Sequence, residues 1–151
     1  VKRMKKTISL LSVAMAFIMC LFGNATSVLA FDDPGNTVTP YYDYTQYVTS
    51  NLNITSSGRA TVTIHCSGAS SSVTKIKAET CIQRKVGIIW VKTDIGTSDD
   101  YWYDTANSVV LNASHSAQLS KSATYRAKTV FTVYTANDSE KITMYSGTDS
   151  Y

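Results

Sequence analysis

The sequence predicts an all-β fold of about seven short strands. From residue 46 onward the chain is rich in Ser, Thr, Tyr, Val and Ile and poor in Leu and Glu, a composition that favours pleated strands. In successive short segments, apolar residues occupy every second position, which is the period of a half-buried strand. No segment after the N-terminal region repeats apolar residues at the helical period. We therefore expect strands and no helix in this part of the chain.

The alternating segments define the strands in chain order. Polar or glycine-containing turns separate them, such as 56–58, 67–72 and 137–139. The predicted strands are residues 48–54, 60–66, 75–83, 88–91, 109–113, 124–133 and 141–146, and residues 94–105 are predicted to form a loop.

Seven strands with a turn about every ten residues favour an immunoglobulin-like antiparallel β-sandwich, with a small β-barrel as the alternative. Tyr125 lies near the start of the sixth predicted strand, where such sandwiches carry a tyrosine that bonds back to the preceding turn. Trp90 lies one strand later than the tryptophan of antibody domains. Both residues are expected in or beside the core.

The N-terminus has the pattern of a secretory signal peptide. Lys2, Arg3, Lys5 and Lys6 precede an apolar stretch at 8–22, whose length of about 15 residues is short for a membrane span. Val28 and Ala30 are small residues at the −3 and −1 positions of the predicted cleavage site, which follows Ala30. We predict a signal peptide at 1–30, a Tyr-rich tail at 31–45, a sandwich domain at 46–151 and a secreted, extracellular protein. An uncleaved anchor is the alternative, and the position of Cys20 after Met19 disfavours a lipoprotein.

The charge balance changes when the signal peptide is removed. Four of the 14 Lys and Arg residues lie in it, whereas all 11 Asp and Glu residues follow it, so ten cations face eleven anions and the net charge is −1. The remaining cations are spread along the chain. We therefore expect neither nucleic acid nor, after signal removal, a membrane as partner.

Two cysteines, Cys66 and Cys81, follow the signal peptide. An even count in an exported chain predicts one disulfide. Strand alternation places the two side chains on opposite faces, so a bond needs a bulge or a twist, and two free thiols are the alternative. His65 and His115 are far apart in sequence and no paired cysteine spacing exists, so neither a zinc site nor any cofactor is expected.

The predicted loop 94–105 concentrates acidic and aromatic residues. The aromatic triplet Tyr101, Trp102 and Tyr103 is the candidate ligand-binding site, as a stacking platform for a glycan or a groove for a peptide. The alternative is that Trp102 or Tyr103 fills the end of the sandwich. No metal is expected. A weak candidate calcium site consists of Asp94, Asp99, Asp100 and Asp104. The spacing of these aspartates does not fit the calcium loop of an EF-hand.

A second aromatic segment, residues 41–47, carries four tyrosines. Exposed, it would be a recognition arm. Packed along a sheet edge, it would be part of the scaffold.

Several short motifs carry a family resemblance. They are Val73-Thr74-Lys75-Ile76, Ile82-Gln83-Arg84, Trp90, Ala123-Thr124-Tyr125-Arg126 and the closing segment 140–146. Residues 51–151 resemble a family of small secreted proteins of Gram-positive bacteria. The resemblance implies export and an immunoglobulin-like sandwich, and it implies no activity for any residue.

Catalytic motifs are absent from the sequence. There is no Gly-rich phosphate loop, no His-Glu-x-x-His and no Gly-x-Ser-x-Gly, so we expect no enzyme and no catalytic residue. The leading hypothesis is a secreted, non-enzymatic binding domain for a cell-surface glycan or protein. The alternatives are a secreted effector, such as a bacteriocin-like toxin or a peptidase inhibitor, and an extracellular matrix protein.

Overall fold

The computed structural model describes residues 42–151. This part of the chain has nine strands and no helix. The predicted signal peptide and most of the tail lie outside the described residues. The strands are β1 (Thr45–Ile54), β2 (Arg59–Gly68), β3 (Lys75–Val86), β4 (Ile89–Lys92), β5 (Trp102–Ala106), β6 (Val110–Gln118), β7 (Thr124–Tyr134), β8 (Ser139–Tyr145) and β9 (Asp149–Ser150).

Nothing within residues 42–151 is a helix of the length and apolar character that crossing a membrane requires.

The strands form two antiparallel sheets. The first has the order β1-β2-β6, and the second has the order β4-β3-β7-β8. Two short strands extend the second sheet, because β5 also pairs with β3 and β9 also pairs with β7. β4 pairs with residues 83–86 of β3 and β5 with residues 76–80, so both lie along the same edge. The predicted all-β sandwich is confirmed.

The core lies between the inner faces of the two sheets. Alternation supplies it: the even residues of β2 and β3 and the odd residues of β7 point inward. Fully buried side chains come from both sheets, including Val62, Ile64, Ile76, Ile82 and Phe131. The seven predicted strands are present; six have ends shifted by three residues or fewer, and β6 continues five residues past its predicted end at 113, to Gln118.

Two strands were not predicted. β5 overlaps the segment 94–105, which was predicted to be a loop. The strand was missed because Asp104 occupies one of its inward positions and interrupts the apolar alternation. β9 is only two residues long, and its first residue, Asp149, accepts a hydrogen bond from the Ile54 backbone N–H at 2.6 Å. Such a short strand has no periodicity to detect.

Tyr125 makes the predicted corner contact. Its ring is 1% exposed, and its hydroxyl donates to the Lys121 carbonyl oxygen four residues upstream at 2.5 Å. The ring also stacks on Tyr151, with centroids 6.3 Å apart. This contact fixes the entry of the chain into β7.

A buried hydroxyl chain joins the two sheets through the core. The Ser50 hydroxyl on β1 lies 3.0 Å from that of Thr129 on β7, and the Thr80 hydroxyl on β3 donates to Thr129 at 3.1 Å. All three side chains are buried. Each hydroxyl therefore finds a partner where no water is available, which avoids the cost of an unsatisfied polar group.

Glu140 on β8 anchors the start of β1. Its carboxylate accepts hydrogen bonds from the Asp43 backbone N–H at 2.9 Å, the Tyr44 N–H at 3.2 Å and the Thr45 hydroxyl at 2.9 Å. Tyr44 and the preceding Tyr42 pack against the core. For these two tyrosines the packed arrangement of segment 41–47 is confirmed, and the sandwich begins at Thr45 rather than at residue 46.

We predict that Glu140→Gln destabilises the domain by about 1 to 3 kcal/mol, because it weakens hydrogen bonds to a charged acceptor. Urea unfolding measures this free energy. The matched control is Glu79→Gln on exposed β3 surface, for which we expect a change of no more than about 0.5 kcal/mol. Equal effects of the two substitutions would contradict the anchoring role of Glu140.

Candidate functional site

The structure separates the three aromatic residues that the sequence groups into one candidate site. Tyr101 immediately precedes β5, and Trp102 and Tyr103 are its first two residues, so neighbouring side chains point to opposite faces. Trp102 points inward and packs against the core. Tyr101 and Tyr103 point to the outer face of the second sheet, with ring centroids 6.0 Å apart. The triplet is therefore not one platform, and Trp102 has the scaffold role that was the alternative prediction.

Trp102 and its neighbours close one edge of the sandwich. The indole stacks on the His115 ring of β6 at a centroid distance of 5.0 Å and an interplanar angle of 12°. The Nε2 atom of His115 lies 2.8 Å from Oδ2 of Asp104 on β5. These contacts connect β5 of the second sheet to β6 of the first.

The structure does not bring the four candidate calcium ligands together. The Asp94 carboxylate accepts a hydrogen bond from the Gly96 backbone N–H at 2.8 Å. The Asp104 carboxylate instead contacts His115. The Tyr103 hydroxyl donates to Asp99 at 2.6 Å; this hydrogen bond lowers the pKa of Asp99 and raises the pKa of Tyr103 to about 12. Within residues 42–151 no three His, Cys, Asp or Glu side chains are grouped so that they could hold a metal ion.

The predicted disulfide is wrong, because both thiols are free and belong to different sheets, Cys66 to β2 of the first and Cys81 to β3 of the second. Cys66 is in the core between the sheets. Cys81 is also buried, but on the outer face, where Tyr101 interacts with its thiol. Burial raises the pKa of Cys66 to about 12. Burial also raises the pKa of Cys81, and the nearby charge of Lys128 opposes part of that rise.

The outer face of the second sheet collects most of the positive charge of residues 42–151. Strand alternation and the β3–β7 register place odd residues of β3 and even residues of β7 on this face. Seven of the ten Lys and Arg residues in this part of the chain lie there, and Glu79 is the one acidic residue within its strands. The seven residues, which we call the cationic face, are Lys75, Lys77, Lys85, Lys92, Arg126, Lys128 and Lys141.

Arg126 lies at the centre of an aromatic clamp on this face. Its guanidinium carbon is 4.3 Å from the ring centroid of Trp90 and 4.2 Å from that of Tyr145. Its Nε donates to the Gln83 side-chain oxygen at 2.9 Å. Partial burial lowers the pKa of Arg126, but an arginine remains charged at neutral pH. The clamp holds the charge in place without neutralising it.

Lysines of the face are also held by aromatic rings. The ammonium nitrogen of Lys92 lies 4.5 Å from the centroid of Tyr101. Those of Lys75 and Lys77 lie 4.4 Å and 5.9 Å from the centroid of Tyr134. No Lys or Arg within residues 42–151 forms an ion pair, since the one ion pair there is His115–Asp104.

The outer face of the first sheet is, in contrast, almost uncharged. Register and alternation give it short neutral polar side chains, and Arg59 is its one charged residue. The neutral residues include Thr49, Asn51, Asn53, Thr61, Thr63, Ser114 and Ser116. The positive charge is therefore a property of one face of the domain.

The cationic face was not predicted from the sequence. The linear spacing shows cations spread along the chain, and that observation led to the expectation that neither nucleic acid nor a membrane is a partner. The available signal was the pair of two-residue spacings Lys75–Lys77 and Arg126–Lys128 on two amphipathic strands. It becomes informative only once β3 and β7 are known to be neighbours.

No protein-family model matches this chain, and no curated protein matches it in sequence. The resemblance to small secreted proteins of Gram-positive bacteria stays a prediction.

We predict that the two thiols are present but unreactive in the folded domain. A pKa of about 12 for Cys66 leaves about one thiolate in ten thousand at pH 8. The chain from Phe31 onward, prepared without reductant, should therefore react slowly with a thiol reagent when native. It should show two reactive thiols in guanidinium chloride. Absence of reactive thiols in the denatured protein would restore the disulfide.

We predict that Trp102→Ala destabilises the domain by about 2 to 3 kcal/mol, somewhat less than the loss of a fully buried tryptophan. Thermal or urea unfolding measures the effect. Trp102→Phe retains a ring over His115 and should lose less. Tyr103→Ala removes a 60% exposed ring and should lower the melting temperature least. If Tyr103→Ala were the more damaging change, the assignment of Trp102 to the scaffold would be wrong.

Proposed function

We propose that this protein is a secreted, non-enzymatic binding domain whose cationic face holds an anionic extracellular glycan. The supporting observation is that seven cations share one sheet face without an ion pair among the described residues. A cation that contacts an aromatic ring keeps its full charge, whereas one paired with a carboxylate does not. The face therefore carries a positive potential that attracts anions.

The spacing of the charges favours a polymer over a small anion. Alternate residues of one strand lie about 7 Å apart. The register places two groups of cations towards opposite ends of the β3–β7 pair: Lys75, Lys77 and Lys141 at one end, and Lys85, Lys92, Arg126 and Lys128 towards the other. Both groups lie on an open sheet surface. A chain with a carboxylate, sulfate or phosphate on each repeating unit would meet several cations at once, and many weak contacts would add up to useful affinity.

Aromatic rings at the border of the face suit sugar rings. Tyr103 is 60% exposed beside Tyr101, and Trp90 and Tyr145 flank Arg126. Such rings combine an apolar face with a polar edge, as a sugar ring does. Two of the three residues predicted from the sequence to bind ligand, Tyr101 and Tyr103, belong to this proposed site, and Trp102 does not.

The scaffold that we infer is immunoglobulin-like. Its support is the strand order β1-β2-β6 opposite β4-β3-β7-β8 and the Tyr125 corner contact. In such sandwiches the fold does not determine the ligand, so the proposal rests on the face itself.

The non-enzymatic character is part of the same proposal. Its support is that the histidines have structural contacts: His115 lies between Trp102 and Asp104, and His65 contacts Asn112 at 2.5 Å. Neither is placed beside a nucleophile in these contacts.

The test compares two triple variants with the same change of net charge. Lys77→Gln, Lys128→Gln and Lys141→Gln alter the cationic face, whereas Arg59→Gln, Arg84→Gln and Lys121→Gln alter cations elsewhere. Binding to dextran sulfate is measured by titration, with uncharged dextran as the control polymer. We expect the face triple to lose about tenfold or more in affinity and the control triple to change about twofold or less, because only close charges act strongly in salt.

Equal losses in the two triples would show a response to net charge alone and would refute a binding face. Binding to dextran as strong as to dextran sulfate would refute the anionic ligand class. Single-stranded DNA serves as a competitor: preferential binding of DNA over dextran sulfate at equal charge would refute a glycan as the partner.

A further inference from the structure

The turn between β3 and β4 exposes an unusual group of apolar side chains. Val86, Ile88, Ile89 and Val91 are 43%, 97%, 57% and 41% exposed. They lie next to one another on a single hairpin, whereas isolated exposed apolar residues are common on protein surfaces. We propose that this hairpin tip, Val86–Val91, inserts into the interface of an anionic lipid bilayer. The proposal goes beyond the glycan-binding function and involves a different set of side chains.

The geometry of the turn directs the apolar residues outward. Val86 pairs with Ile89, so Gly87 and Ile88 form a two-residue turn. Gly87 has φ +60° and open space around it, as expected for the first central residue of a type II′ hairpin turn. Ile88 then occupies the apex, where a polar residue would serve the turn equally well. The side chain at the apex therefore contributes little to the scaffold.

The shape of the tip favours a lipid over a folded partner. A two-stranded tip is narrow and convex, and the strand β4 has four residues. Such a tip buries little area against a rigid surface, while a stable protein interface needs about 800 Å² on each side. A fluid bilayer closes around a projecting tip on all sides and buries its aliphatic side chains without a complementary groove.

The charge around the tip selects the type of bilayer. Arg84, Lys85 and Lys92 flank it, and no acidic residue lies between residues 80 and 93. Basic residues beside an inserted apolar segment are attracted to anionic headgroups. Trp90 belongs to the tip and its ring lies on the cationic face against Arg126, and indole rings concentrate at the membrane–water interface. These features together oppose the expectation, drawn from net charge, that a membrane is not a partner.

The two tryptophans make the proposal testable by fluorescence. In the chain from Phe31 onward, Trp102→Phe leaves Trp90 as the remaining tryptophan. Vesicles of equal parts phosphatidylglycerol and phosphatidylcholine should shift its emission to the blue, and vesicles of phosphatidylcholine alone should not. Sedimentation of the unmodified chain with the same vesicles gives a second readout that does not depend on the folding of the Trp102 variant.

A matched pair of variants tests the role of the tip. Ile88→Ser with Ile89→Ser should reduce binding to the anionic vesicles about tenfold or more, because two aliphatic side chains no longer leave water. The control is Val109→Ser with Val110→Ser, which removes two apolar residues of 38% and 39% exposure at the start of β6. The control should bind as the parent does, and both variants should keep the parent's melting temperature.

Three results would overturn the proposal. Undiminished vesicle binding by the tip variant would show that the tip does not insert, whatever the cationic face contributes. Equal binding to both kinds of vesicle would refute the selection of anionic lipid. Self-association of the parent in the absence of lipid, abolished in the tip variant, would assign the tip to a second copy of the chain. The tip variant should still bind dextran sulfate, so failure of the glycan proposal and failure of this one are distinguishable.

Discussion

The antiparallel register between β3 and β7 is the constraint on which the rest of the structure depends. Ten residue pairs, from Lys75–Tyr134 to Arg84–Tyr125, join these two strands at the centre of the second sheet. The same register sends Ile76 and Val133 into the core and leaves Lys75 and Tyr134 outside. A slip by one residue would place lysines between the sheets. Core and cationic face are therefore two results of one alignment, and neither can change without the other.

The contacts that the charged side chains make follow from this arrangement of the second sheet. The one described ion pair, His115–Asp104, closes an edge of the sandwich, while the anchoring carboxylate Glu140 serves backbone N–H groups and a hydroxyl. The cations are stabilised by aromatic rings instead. Because no carboxylate within residues 42–151 is paired with the cations of the cationic face, these cations remain available to bind external anions. The separation of tasks between the two faces of the second sheet explains how residues 31–151, in which cations and anions nearly balance, can present a positive surface.

Sequence periodicity predicted the strands because burial of one face imposes a period of two. It also placed Tyr125 correctly, since its position relative to β7 is local. It missed β5, because Asp104 takes an inward position that only a partner on another strand, His115, makes acceptable. It also missed the cationic face, since the pairing of β3 with β7 spans about fifty residues of chain. Strand alternation correctly separated Cys66 from Cys81, and the preference for a disulfide in an exported chain was the weaker argument.

The free thiols have a consequence for how this domain is made. Because Cys66 is buried in the core on the first sheet and Cys81 is buried on the outer face of the second sheet, with both thiols free, folding involves no oxidant and no disulfide isomerase. Thiol–disulfide exchange, which takes seconds to hours, is not a step on its pathway. The native state is equally stable in oxidising and reducing surroundings, since no covalent link restricts its unfolded chain. Such a domain keeps its shape in habitats without oxygen, where a disulfide-dependent exported protein would lose its cross-link.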